Sequence, residues 1–155
     1  MCGVRLCLAV LAVVLGTSTV MADTGAALDR TDAFEQAYGA SFFEFDACGD
    51  GLSGRIYRQA LTDRLMHCPF TDAAKVRFRT RAAMQRRKSG EIIRELIEQT
   101  GGMPVRLEGM TRTCREQMDS PEYQAVRARL DAYSAGTAGR DDVVPSPCDA
   151  DRITP

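Results

Sequence analysis

The sequence contains no tryptophan, four tyrosines and a single histidine. That scarcity leaves little from which to build an aromatic platform for stacking sugars or bases. One histidine, His67, removes the zinc sites that need two, and neither H-E-x-x-H nor C-x-x-C-H occurs. Also absent are the G-x-S-x-G nucleophile elbow, the phosphate-binding loop and the dinucleotide fingerprint, so no cofactor is implied. No stretch alternates apolar and polar residues for long enough to argue for a strand. The apolar run from Leu6 to Leu15 is 10 residues long, where a bilayer-spanning helix takes about 20. The formal net charge of −1 excludes a global attraction to polyanions.

What is present begins with that short apolar run. Arg5 precedes it, and Thr19-Val20-Met21-Ala22 follows as a small-residue cleavage site, so residues 1–22 read as a secretory signal peptide. The expected mature chain, Asp23 to Pro155, keeps 19 basic against 21 acidic residues and is long enough for one core of its own. It also keeps four cysteines, Cys48, Cys68, Cys114 and Cys148. An even number in an exported chain reads as two disulfides and a periplasmic or extracellular location.

A helical period dominates from Asp29 to Tyr133, which predicts an all-α fold, an antiparallel bundle of four or five helices. Phe34, Tyr38, Phe42, Phe45 and Cys48 form the stripe of a first helix over 29–48. Tyr57, Leu61, Leu65 and Cys68 form that of a second over 52–67, which Pro69 stops. Thr71 is the expected cap of a third helix, whose stripe runs from Ala74, Phe78 and Ala82 through Gln85 and Ser89 to Ile92, Ile93 and Leu96. The phase holds through Ser89-Gly90, so this helix is expected to be continuous to about Thr100. A fourth opening at Pro104 carries Leu107, Met110, Cys114 and Met118. A fifth is capped by Ser120-Pro121 and carries Tyr123, Val126, Leu130 and Tyr133. The organisation expected is therefore a helical domain over 23–135 and an irregular tail over 136–155, tethered by Cys148.

Strict up-and-down alternation of these helices favours Cys68 with Cys114 and Cys48 with Cys148. A break of the third helix at Ser89-Gly90 would instead favour Cys48 with Cys114.

Candidate chemistry is sparse. Asp46, Asp50 and Gly51 fall on positions one, five and six of a calcium loop, but Cys48, Ser53 and Tyr57 occupy places that need an oxygen ligand, an apolar residue and a glutamate. A disulfide-bearing turn is the better reading. Lys75, Arg77, Arg79, Arg81, Arg86, Arg87 and Lys88 are seven cations with no intervening acid. At 100° per residue they encircle the helix, Lys75, Arg79 and Arg86 making the ridge that is the candidate anion-binding surface.

These features suggest an exported binding or interaction module that recognises a protein or an anionic envelope component. Net negative charge and export count against nucleic acid. Two alternatives are a small secreted hydrolase using His67 with Asp63, four residues earlier on the same helix, and a periplasmic stress-protective holdase.

Overall fold

The computed structural model describes residues 27–99 and 108–153; the expected leader over 1–22 lies outside the described residues. The elements are α1 (Asp32–Glu44), a 3-10 turn (Asp46–Cys48), α2 (Gly51–His67), α3 (Asp72–Gln99), α4 (Glu108–Met118), α5 (Pro121–Ser134) and a single-turn helix, α6 (Arg140–Val143). The fold is all-α, as the sequence period predicts. Among the described residues one bridge between extended residues, Leu28 to Phe70, pins the start of the described chain beside the α2–α3 turn.

Local chemistry sets the boundaries. The first helix starts at Asp32 rather than Asp29 because Asp29 is engaged elsewhere. Its carboxylate and carbonyl accept from Arg77, and the carboxylate accepts from Thr71 as well. It ends at Glu44 rather than Cys48, where the chain tightens and Gly49 takes φ 89°, a left-handed conformation open to glycine. Asp50 then caps α2 by accepting from the Ser53 N–H at 3.2 Å. Thr71 and Ser120 cap α3 and α5 in the same way. Glycine and threonine of the predicted α3–α4 junction, and Pro104 with Leu107, lie outside the described residues.

The core is aromatic. Phe34, Tyr38, Phe45, Tyr57 and Phe78 are fully buried, with edge-on contacts of Phe34 to Phe70 and of Tyr38 to Phe78. Phe45 contacts both Tyr57 and Tyr123, bringing α1, α2 and α5 together. The expected tail does more than hang from a cysteine. Val143, Val144 and Ile153 are buried in the same core, and Arg64 of α2 pairs with Asp141 at 3.1 Å.

Helix directions correct the expected disulfides. Arg58 meets Ser41 and Tyr57 meets Phe45, so α1 and α2 are antiparallel. Arg77 meets Asp29 and Arg81 meets Glu35, so α3 runs parallel to α1. Tyr123 meets Asp50 and Tyr133 meets Asp63, so α5 runs parallel to α2. The bonds are Cys48–Cys114 and Cys68–Cys148, not Cys68–Cys114 and Cys48–Cys148. The third helix is continuous through Ser89-Gly90, so the alternative ground for joining Cys48 to Cys114 is not the reason.

The reason is length. At 1.5 Å per residue the 28 residues of α3 extend about 42 Å, against about 20 Å for the 13 residues of α1. Ile92, placed by its period on the core stripe, is accordingly 48% exposed. The 11-residue α4 then comes back only as far as the 3-10 turn, where Cys114 meets Cys48 and Gln117 donates to the Glu44 carbonyl. Pro121 starts α5 at that end, and α5 carries the chain to the far end, where Cys148 meets Cys68.

Candidate functional site

Beside α2 lies a groove of about 620 Å3. Gly51, Arg55, Arg58, Gln59, Thr62 and Asp63 recur at steps of three and four, so one face of α2 forms its long wall. Tyr38 and Asp46, from α1 and the 3-10 turn, and Arg86, from α3, supply the opposite side.

Arg58 forms the base of this site. It is 8% exposed and holds Asp46 through Nη1–Oδ2 at 3.1 Å and Nη2–Oδ1 at 3.4 Å. Its Nη1 also donates to the Ser41 hydroxyl at 3.1 Å, and its guanidinium lies 4.1 Å from the centroid of the Phe42 ring. A charge this deep needs that many partners, since the desolvation of an unpaired guanidinium would exceed any single hydrogen bond. Gly54 makes room for it: a Cβ there would stand 2.5 Å from Asp46 Oδ1.

The other charges of the groove are differently placed. Arg55 is exposed. Arg86 donates to the Tyr38 hydroxyl at 2.9 Å, and Tyr38 itself is held by Phe42 and Phe78. The Asp63 carboxylate accepts a very short hydrogen bond from the Tyr133 hydroxyl. Burial, and then that bond to Asp63, pushes the Tyr133 phenol up to about 12, which keeps it a protonated donor. Outside the groove lining, Tyr123 donates to Asp50 at 2.8 Å. Burial opposes ionisation of Asp50, but hydrogen bonds from Ser53 and Tyr123 outweigh it and hold the carboxyl below its ordinary value.

The predicted ridge is divided by this arrangement. Arg86 lines the groove, whereas Arg79 lies against Met66 at 3.2 Å and Lys75 is half-buried away from it. Arg77 and Arg81 are taken up by Asp29 at 2.9 Å and Glu35 at 2.5 Å. The proposed catalytic couple is not assembled. His67 is exposed and donates from Nδ1 to the backbone carbonyl of Asp63 at 2.7 Å, while the Asp63 carboxylate faces Tyr133. Asp46 and Asp50, the calcium-loop positions, are bonded to Arg58 and to Ser53 and Tyr123 respectively. Among the described residues no cluster of three or more His, Cys, Asp or Glu could hold a metal ion, and no helix is long and apolar enough to cross a membrane.

Arg55 and Arg58 are the groove residues that sequence reasoning passes over. Gly54, a glycine in mid-helix, was the available sign that another group approaches closely. No protein-family model matches the chain, and neither curated proteins nor solved structures provide a match.

Proposed function

We propose that this protein is a binding module of an oxidising, extracytoplasmic compartment, and that it recognises an anionic group of its partner in the groove beside α2. The observation that carries this reading is that Arg55, Arg58 and Arg86 line one groove, with Arg58 neutralised by Asp46 and neither of the other two paired to a carboxylate among the described residues. Arginine presents a planar fork of donors suited to carboxylate and phosphate oxygens. The compartment is supported by two disulfides that tie the body together, bonds that persist where thiols are not kept reduced. It agrees with the leader read from residues 1–22.

The test is a titration with inorganic phosphate and with acetate at low ionic strength, followed by amide NMR shifts. The residues of α2 from Arg55 to Asp63 should respond together with Arg86. The double variant Arg55→Gln/Arg86→Gln should bind at least tenfold more weakly, since each lost charge-assisted contact is worth about 1.5 kcal/mol or more. The exposed Arg87→Gln should behave as the parent. Responses scattered over the surface, or unaffected by the double variant, would overturn the proposal.

A further inference from the structure

Two opposite charges line the groove without being paired to each other. Asp63, on α2, accepts from Tyr133, and Arg86, on α3, donates to Tyr38. They stand at the same level. In the antiparallel pair of α1 and α2, Ser41 faces Arg58, so Tyr38, one turn earlier, faces the next turn of α2, which holds Thr62 and Asp63. Other arginines of the body are paired with carboxylates, as Arg58, Arg64, Arg77 and Arg81 are, while Arg127 and Arg152 act on Asp50 and Glu44 without an ion pair. Here each charge is oriented by a tyrosine hydroxyl, which supplies a hydrogen bond and no charge. Tyr133 remains protonated to about 12. Both side chains are thus held in place, and among the described residues neither forms an ion pair, Arg140 acting only on Tyr133 beside Asp63.

We propose that the groove takes a small zwitterion, a molecule carrying a primary amine and an acid group, with the amine on Asp63 and the acid on Arg86. This rests on the anion-binding reading above and adds to it a second subsite of opposite sign. An ammonium carries three donors, and Asp63 has a carboxylate oxygen beyond the one that Tyr133 uses. Tyr38 and Thr62 line the same groove. Two sources share this chemistry, amino acids or short peptides with a carboxylate and amino-alcohol phosphates with a phosphate.

Matched probes separate the possibilities. Glycylglycine is compared with N-acetylglycylglycine, and O-phosphoethanolamine with ethyl phosphate, by calorimetry at low ionic strength. The amine-bearing member of at least one pair should bind tenfold or more tightly, and the pair that binds better identifies the acid. Asp63→Asn still accepts from Tyr133 but has lost its charge, so it should abolish the preference for the amine while leaving binding of the amine-free member unchanged. Arg86→Gln should weaken both members and preserve their ratio. Tyr133→Phe, which keeps the Asp63 charge, should reduce the preference only in part. If amine-free and amine-bearing members bind equally to the parent protein, the zwitterion inference fails and the anion reading stands. If neither member of either pair binds, both fail. An unchanged amine preference in a folded Asp63→Asn variant would place the amine elsewhere and overturn the assignment.

Discussion

Replacing Gly54 by alanine tests whether the Arg58–Asp46 pair is as confined as its burial implies. In the interior of a helix such a change ordinarily gains about 1 kcal/mol. Here the new Cβ would stand 2.5 Å from Asp46 Oδ1, 3.0 Å from Phe45 Cβ and 3.1 Å from Arg58 Nη1. Phe45 is fully buried between Tyr57 and Tyr123 and has nowhere to retreat. The carboxylate must therefore swing aside, which parts it from Arg58. Their side chains are only 10% and 15% exposed, so water replaces the lost partner poorly, and breaking such a pair costs about 3 kcal/mol. Set against the propensity gain, the expected net loss is about 2 kcal/mol. For a domain of this size that is a fall in melting temperature of about 8 °C. Gly90 provides the internal comparison, because a Cβ there meets nothing within 4 Å. Gly90→Ala should keep the full gain and stabilise by about 1 kcal/mol. Both variants are measured by urea unfolding with the disulfides intact, using far-ultraviolet circular dichroism. A Gly54→Ala protein as stable as the parent would show that Asp46 moves freely, and the account of the buried pair would be wrong.

Other consequences are equally measurable. Peptide mapping without reduction should recover Cys48 linked to Cys114 and Cys68 linked to Cys148. Removal of either bond by paired serine substitution should cost about 4 kcal/mol, since the bonds close loops of 66 and 80 residues. His67→Ala should lower stability by less than about 1 kcal/mol, because the exposed ring bonds only within its own helix. Glu44 titrates the other way from Asp50: burial, partly offset by Arg152, raises its folded pKa above the ordinary value. The ionised form is thus penalised in the folded state, so Glu44→Gln should be more stable than the parent at pH 7. That advantage should vanish as the pH falls and the parent protonates. Asp50 is held low, so its contribution is present at neutral pH and is lost as acid protonates it; Asp50→Asn should bring the acid unfolding midpoint closer to neutrality.

The stripe of Tyr57, Leu61, Leu65 and Cys68 was legible because one side of α2 is buried along its whole length, and burial of one side writes a 3.6-residue period into a sequence. The caps at Thr71 and Ser120 were legible because capping is settled within four residues. Helix direction was not. Pro121 looks the same in sequence whether the chain reverses there or continues past the turn, and the disulfide pairing depends on that difference. Nor does a period reveal that the tail is part of the core, since Val143, Val144 and Ile153 occupy too short and irregular a stretch to show one. In the groove, Arg86 was visible as one of many cations, but what singles it out is Tyr38, 48 residues away, and what singles out Asp63 is Tyr133, 70 residues away. Such pairings belong to packing rather than to neighbouring residues.

The two cystine bonds interleave along the chain, with Cys48, Cys68, Cys114 and Cys148 joined first to third and second to fourth. A peptide bond cut once anywhere between Cys48 and Cys148 therefore leaves a single covalent molecule, whether the cut falls in α3, in the segment after it or in α5. On a gel a nicked chain should run as one band until a reducing agent is added and as two afterwards. The interleaving also bears on assembly, because Cys48 and Cys68, the first two of these four in chain order, are not native partners. Oxidation in order of appearance would trap Cys48 on Cys68, and reaching the native arrangement from there requires exchange between thiols and disulfides. If the cysteines oxidise in chain order, the linkage that keeps a cleaved chain whole is reached only through disulfide reshuffling.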